Sequence, residues 1–596
     1  MKSNITTYKK HIVYLWLFTI FCTLIFVLPI THRIIAQLLA VHSSTPYERW
    51  LRRLTEYAYR PFQCITLIPL IFYYTLVTPP LKNTTDSNYV TLIKKDYPKH
   101  FVYFFLIAST IILLSILTTS SPLYPFNPWN DADIIYTVGK AMAKGMVPYR
   151  DLFERKGILL YFIHAVGYML TPDSFNGLYI IECISCFFFL YLVYKTARLY
   201  TSRSVLFIIP IFAAILYAAY NKKSGDSAEE LCLPLLLYPL YISVKNIKQG
   251  KDFSNIQLFF CGLCAGCIFW IKYSMLGFFL GWIIIPIYIY VKNKRAVKIL
   301  LYACIFLAGI TVTSIPWILY FGANHAISDW ASVYFLDNIL WHIPTNVKNE
   351  SGLVMIAAIL FSYIRHIPEL IHYNFHVFFL ALLSLCYSIK SNNRLLNLHL
   401  SFTFITTYLL VLGGGSFGRY YCMPLEVFFI FSVIPIHSCA LMLFQKIYAN
   451  SIKHYMYVAA GCIILTFSII YAATNYTYIG FMTYPKEQLP QYKFARIIKE
   501  SGGKTMLSYK FMDRGFYIFA DILPDCRYFF EIGLDPEYQI KFTEKWVADG
   551  KADFLVTSDT KMDIPGYSVI AEEPLYINYG MYLEDSIYYL YRRNGL

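Results

Sequence analysis

The chain carries a dense group of ionisable side chains in one segment, residues 120–175, which includes the run NDADIIYTVGKAMAKGMVPYRDLFERKGILLYF. Asp131 and Asp133 stand two apart, and Tyr149, Glu154, Arg155 and Lys156 follow. A carboxylate within hydrogen-bond reach of a hydroxyl can take its proton, and two acids spaced as Asp-Ala-Asp can share a divalent ion. Either acid can equally cap a helix over 133–144. Elsewhere Glu229 and Glu230 open an apolar run, while Lys272 and Arg419 stand at the ends of others. Carboxylates at a helix start can hydrogen-bond hydroxyls or simply complement the helix dipole. Cations in such places can hold phosphate oxygens or extend to lipid headgroups.

The elements that must position these residues are read from composition. Of 596 residues, 57% are hydrophobic and 15% charged, against about 25% charged in soluble proteins. This excludes an ordinary soluble fold and disorder, and predicts a polytopic α-helical membrane protein. Apolar runs long enough to span fall at 12–31, 62–78, 101–119, 176–194, 204–220, 231–244, 256–271, 274–291, 298–320, 375–389, 399–414, 421–444 and 455–473. These are about 13 transmembrane helices. The weaker stretch 353–364 reads as a re-entrant or surface helix. The first run lacks a small-residue cleavage site and reads as a retained span rather than a signal peptide.

Charge orients the spans. With the N-terminus cytoplasmic, Lys and Arg gather on the cytoplasmic side with few acids, as the positive-inside bias requires. The 120–175 segment is then an external loop, and loops of that length carry function. Residues 1–485 hold 37 Lys+Arg and 19 Asp+Glu, whereas 486–596 hold 14 and 17. The net charge of +15 therefore reports orientation and gives no sign of nucleic-acid binding. The divisions expected are 1–100, an extra N-terminal span pair with a cytoplasmic loop; 101–475, the functional membrane region; and 476–596, a small extracytoplasmic α/β domain. In that tail IIKESGGKTMLSYK, KADFLVTSDT, YSVIAEE and SIYYLYRR read as helix and strand elements. Cys261, Cys264 and Cys267 form a CxxCxxC pattern inside an apolar run, without the charged neighbours a thiolate needs, and read as packing residues.

The external loop resembles that of the GT-C superfamily of membrane glycosyltransferases, in the branch of protein O-mannosyltransferases and aminoarabinose transferases. The branch shows an Asp about eight residues before a Gly, then a run like GxxPYxDLFxxKGPLLYF. Asp131 and Gly139 hold the first positions, and GMVPYRDLFERKGILLYF the rest, with Gly157-Ile158 where Gly-Pro or Pro-Pro is usual. Ser227-Ala228-Glu229-Glu230-Leu231, Phe269-Trp270-Ile271-Lys272 and Gly418-Arg419-Tyr420-Tyr421-Cys422-Met423-Pro424 are similar to further elements of the same group. All four stretches fall on the expected outer face, and the resemblance spans about 100–475.

The resemblance implies a polyprenyl-phosphate-linked sugar as donor, transferred with inversion to an acceptor hydroxyl on the extracytoplasmic face. The lack of a P-loop or dinucleotide fingerprint agrees, since no nucleotide is needed. Asp131 becomes the expected general base. Lys156, Arg419, Lys272 and Arg155 are the expected donor-phosphate cations, and Asp133, Tyr149, Glu229, Glu230 and Tyr420 the expected sugar or acceptor contacts. No cofactor is expected, with a divalent ion on Asp131 and Asp133 the open alternative. Expected partners are the lipid-linked donor, membrane lipids and a lipid, glycan or protein acceptor, with the chain in a bacterial plasma membrane. A polysaccharide polymerase or ligase is the second reading, but its usual large, late outer loop rich in Arg and His is missing. The non-enzymatic reading, a lipid-glycan flippase or transporter, would favour internal repeats and mid-span charges; no repeat is evident, and the acids cluster outside the membrane, with Glu182 and Glu426 the two within spans, where each is expected to pair with a polar neighbour.

Overall fold

The computed structural model describes residues 97–338, 374–448 and 454–596, less 173, 293, 392, 414–417, 532–535 and 579–582, with isolated positions at 352, 363, 364 and 367. The expected N-terminal spans 12–31 and 62–78, and nearly all of the expected surface helix at 353–364, lie outside the described residues. The rest is a helical membrane protein with a small mixed sheet at its C-terminal end. Among the described residues, seven stretches are long and apolar enough to cross a membrane by length and composition: Lys99–Leu117, Asn176–Ala197, Asn255–Lys292, Val297–Ala323, Arg394–Val411, Arg419–Leu441 and Val458–Asn475.

This number differs from thirteen for physical reasons besides the two spans outside the described residues. Expected spans 204–220 and 375–389 are shorter apolar stretches, Arg203–Tyr217 and Phe375–Ser391. The span at 231–244 is the middle of a helix, Ala228–Gln249, with Glu229 and Glu230 in its first turn and Lys248 in its last. Those charges complement the helix dipole, and its interior Pro234 and Pro239 are of a kind membrane helices tolerate. The pair 256–271 and 274–291 forms one 38-residue stretch, which as a straight helix would be about 57 Å long, nearly twice a bilayer core. It is not straight. Lys272 has extended backbone, φ −159° and ψ 96°, so two helices meet at that residue.

Local chemistry sets the helix ends. Ser227 caps its helix by accepting from the Glu230 amide, and Ser254 with Gln257 forms a capping box. Arg419–Ser432 is a 3-10 helix containing Pro424, continued by Val433–Tyr448 as α-helix. Two-thirds of the central window of this span is buried, against 6% for Val297–Ala323. The first therefore runs through the interior and the second lies at the periphery.

The sheet orders its strands β1 (Met506–Ser508), β2 (Phe554–Ser558), β4 (Leu583–Arg593) and β3 (Tyr567–Asn578). β1 and β2 run parallel, which requires a long crossover; the helix Glu537–Ala548 lies in it. β3 and β4 are antiparallel, with a bulge between Val569 and Ala571. This unit docks on the 120–175 segment rather than hanging free. Phe126 packs edge-on to Phe481 and Phe519, with centroids 5.4 and 5.6 Å away. Lys140 pairs with Asp521 at 2.7 Å, the Phe153 amide donates to the Arg527 carbonyl, and Arg527 donates to the Tyr149 carbonyl at 2.8 Å.

Candidate active site

The 120–175 segment is built from two helices, Asn130–Ala143 and Ile158–Leu170, joined by a turn-rich connection. Asp131 lies in the first turn of the first helix, directly after Trp129. The Trp129 ring stands edge-on to Tyr420 at 5.0 Å, and the Tyr420 hydroxyl donates to Asp131 Oδ2 at 2.8 Å. The Lys156 Nζ lies 3.9 Å from the same oxygen and 3.5 Å from Glu154 Oε1. Asp131 and Lys156 keep 19% and 23% of their side chains exposed, so both can meet a ligand.

Lys156 is held from three sides. Its carbonyl accepts from the Tyr149 hydroxyl at 2.6 Å, and its amide donates to Glu154 Oε2 at 2.7 Å. Glu154 is fixed in turn by the Tyr161 hydroxyl. The next residue, Gly157, donates its amide to the Ile271 carbonyl at 3.0 Å. A Cβ on Gly157 would lie 2.0 Å from the Trp270 carbonyl oxygen, so only glycine lets this turn dock on the helix end that carries Lys272. Proline at 157 could not donate that bond, which accounts for glycine here. Burial pushes the Lys156 ammonium down, but Glu154 and Asp131 outweigh it and hold the group above the ordinary lysine range.

Lys272 pairs with Glu229, and its ammonium sits 3.9 Å from the Tyr421 ring centroid and 5.4 Å from that of Tyr420. Arg419 stacks over Tyr220 at 4.4 Å. Asp131, Tyr420, Lys156, Lys272, Glu229 and Arg419 thus converge from four segments distant in sequence. Arg155 is at the margin, its carbonyl accepting from Asn338 at 2.8 Å.

Three expected contacts are placed differently. Tyr149 has no exposure and a left-handed backbone, φ 70°; its ring packs on Tyr161, Phe321 and Tyr334. Its hydroxyl holds the Lys156 carbonyl from inside. Asp133 caps nothing, because the cap position is Trp129 and no side chain caps this helix. Its carboxylate is fully buried, makes no hydrogen bond, and lies 3.3 Å from where a Cβ of Gly515 would be. Burial raises its carboxyl well above the usual range, Asp513 adds to this, and Arg514 opposes it. Residues two apart on a helix face different ways, so Asp131 and Asp133 do not converge on one ion, and no metal-holding cluster occurs among the described residues. Glu230 is also buried, with Oε2 unpartnered.

Sequence reasoning missed the connection at 218–227. Lys223, Gly225 and Asp226 all have positive φ, and each neighbour of Lys223 is pinned. The Ser224 hydroxyl donates to Asn127 at 2.6 Å, and the Ser224 carbonyl accepts from the Thr119 amide at 2.8 Å. The Asp226 amide donates to Glu182 at 2.6 Å, and Asp226 Oδ2 lies 3.0 Å from His164 Nε2. His164 Nδ1 also faces a carbonyl, that of Leu160 at 2.8 Å, so both ring nitrogens are engaged and the ring is fixed in place. Lys222 pairs with Glu426 at 3.4 Å. Glu182 and Glu426, the acids expected inside spans, thus each have polar partners. Glycine and aspartate near a span end gave a turn signal here, but nothing in the pattern indicated which side chain faces the site. Close by, a cavity of about 620 Å³ opens between Phe375–Ser391, Arg394–Val411 and the 3-10 helix, lined mostly by apolar groups such as Val377, Phe404 and Phe428, with Asn221, Asn374 and Glu426.

No family model matches the sequence, and no curated protein matches it. Solved structures do. The chain is similar to the crystal structure of ArnT from Cupriavidus metallidurans bound to undecaprenyl phosphate, with a TM-score of 0.50, and to the same protein in the apo state, with a TM-score of 0.53. Identity is 12% in both, over 83% of this chain and 98% of that chain. The chain has the ArnT fold. That is the GT-C architecture expected from the loop motif, and together with the seven apolar stretches it makes this an integral membrane protein. At 12% identity the likeness to ArnT concerns the fold, and the chemistry must come from the site.

Proposed function

We propose that this protein transfers a sugar from a polyprenyl-phosphate donor to an acceptor hydroxyl, with inversion, on the extracytoplasmic face of a bacterial plasma membrane. The observation that carries this reading is Asp131, held by Tyr420 at 2.8 Å and flanked by Lys156 at 3.9 Å, on an ArnT-like fold whose solved relative binds undecaprenyl phosphate. Asp131 takes the acceptor proton as the hydroxyl oxygen bonds to the anomeric carbon. The bond from that carbon to the phosphate oxygen breaks, and the lipid phosphate leaves with its electron pair. Lys156 and Arg419 stabilise that leaving charge. Lys272 needs to exchange Glu229 for phosphate to take part, and Arg155 contributes from the margin. The Tyr420 hydroxyl orients Asp131, Glu229 is buried against Lys272 and reaches a sugar hydroxyl only when that pair opens, and the apolar cavity suits a prenyl chain. The N-terminus is cytoplasmic, and the 476–596 domain lies outside, against the loop.

The test is a donor screen on purified full-length protein. Polyprenyl-phosphate sugars are supplied one at a time with candidate acceptors, and release of lipid phosphate is measured. One donor should turn over, and Asp131→Asn should slow it by about 10²–10⁴-fold, the usual worth of a general base. Equal rates for Asp131→Asn and wild type at equal protein level would remove Asp131 from the mechanism.

A further inference from the structure

From Asn221 to Glu230 every residue is buried except Lys223, which is half-exposed. Its backbone, φ 56° and ψ −135°, is one that side-chain-bearing residues adopt only at a cost in free energy. A chain keeps a lysine in such a position only when its surroundings over-determine the turn, and they do. The Asn221 amide donates to Asn374 Oδ1 at 3.0 Å, and the Asn221 side chain donates to Glu426 at 2.9 Å. Lys222 is paired with Glu426, Ser224 is tied to Asn127 and Thr119, and Asp226 is tied to Glu182 and His164. Gly225 fits because a Cβ there would lie 2.1 Å from Thr118 Oγ1. Among the described residues the Lys223 side chain alone in this turn makes no hydrogen bond or ion pair.

The turn also faces the site. Ser224 is joined through Asn127 Oδ1 to the Trp129 amide at 3.1 Å, two residues before Asp131, and Tyr220 carries the Arg419 guanidinium on its ring. The charges acting on the Lys223 ammonium are Asp131, which favours it, and Arg419 and Arg514, which oppose it; burial pushes it further down. We propose that Lys223 is a donor-binding residue, presented by a strained and fully anchored turn so that its ammonium takes a phosphoryl oxygen of the lipid phosphate beside Asp131. This rests on the transferase reading above and adds a residue to its phosphate site.

Binding of undecaprenyl monophosphate and of uncharged undecaprenol to the purified full-length protein separates the possibilities, with melting temperatures recorded alongside. Wild type should bind the monophosphate more tightly than the alcohol. Lys223→Gln and Lys223→Gly should lose about ten- to a hundredfold in affinity for the monophosphate, the worth of a charge-assisted hydrogen bond, and nothing for the alcohol. Lys223→Arg should keep most of it. Lys223→Gly should melt no lower than wild type, because glycine relaxes the backbone, an outcome a structural lysine would not give. Wild-type phosphate affinity in the Gln and Gly variants, or a lower melting temperature for Lys223→Gly, overturns the proposal while leaving the transferase reading intact. A wild type that does not distinguish phosphate from alcohol overturns both.

Discussion

Gly157→Ala tests how the site is assembled, because the substitution adds one methyl group outside the charged cluster. The new Cβ would stand 2.0 Å from the Trp270 carbonyl oxygen and 2.5 Å from its carbon. Both belong to backbone at a helix end, so rotamer changes cannot relieve the overlap. The 156–157 turn must withdraw by about 1 Å to reach even a tight contact of 3.0 Å, and the Gly157 bond to the Ile271 carbonyl, 3.0 Å long, goes with it. Losing that bond costs about 0.5–1.5 kcal/mol, and overpacking of this kind about 1–3 kcal/mol, so a total of about 2–4 kcal/mol is expected. Lys156 moves with the turn. Displacement of a reacting or binding group by about 1 Å can cost about 10²-fold in rate.

The assay is paired: thermal melting in detergent, and turnover of the donor identified by the screen. Gly157→Ala should melt lower and turn over about 10²-fold more slowly. Ile158→Pro is the control, since it changes the neighbouring residue and leaves Gly157 in place. Position 158 is the first of its helix, where proline is tolerated. Gly157, at φ −76° and ψ 148°, already has the extended backbone that a following proline imposes. That variant should keep its activity and lose only the packing of the isoleucine side chain. Wild-type melting and turnover in Gly157→Ala would refute the claim that close backbone contact at Trp270 places Lys156.

Further outcomes follow from the surrounding contacts. The Asp133 carboxyl is pushed well above the usual range mainly by burial, then by Asp513, and Asp513 itself is pushed up to about 6 by burial. Both carboxyls have folded pKa values above the ordinary 3.8, so their contribution to stability is complete below that value and lost as pH rises through the raised ones. Melting temperature should fall from pH 4 to pH 8, and fall less in Asp133→Asn. Arg527→Ala removes the donor to the Tyr149 carbonyl and the Asp329 partner at 3.5 Å; about 1–2 kcal/mol of docking should go, seen as faster hydrogen exchange at the Phe153 amide. Glu182→Ala leaves the Asp226 amide buried without its acceptor and the Thr118 hydroxyl with only the Ser224 carbonyl at 3.4 Å, which should cost about 1–3 kcal/mol in thermal melting.

The membrane architecture was legible because hydrocarbon selects residues by composition alone. Apolar runs at 101–119, 176–194, 298–320, 399–414, 421–444 and 455–473 each coincide with a long apolar helix. The same rule fails where length or charge departs from it: Arg203–Tyr217 is too short, and Ala228–Gln249 is charged at both ends. The α/β tail was legible by period, with β2 inside KADFLVTSDT and β4 covering SIYYLYRR. Its docking on the 120–175 segment was not, since Phe126 with Phe519 and Lys140 with Asp521 are contacts between segments hundreds of residues apart, which leave no local pattern.

Site residues divide along the same line. Lys272 and Arg419 stand at the ends of apolar runs, where a charge is conspicuous against its background, and Asp131 and Lys156 fall within the loop motif. Asp133 and Tyr149 were as conspicuous, yet both are turned inward, and only tertiary contacts decide the direction. Asp133 faces the docked domain at Gly515, and Tyr149 faces Phe321 and Tyr334. Lys223 is the reverse case: in sequence it is one of two adjacent lysines before a Ser-Gly turn, and the fold separates them. Lys222 is buried against Glu426, and Lys223 is the residue of that turn left half-exposed. The turn's anchors, Glu182, His164, Asn127 and Asn374, come from three other segments. A charge acquires a role here only when enough neighbours are fixed to leave it nowhere else to point, and that condition belongs to the assembled fold rather than to any stretch of the chain.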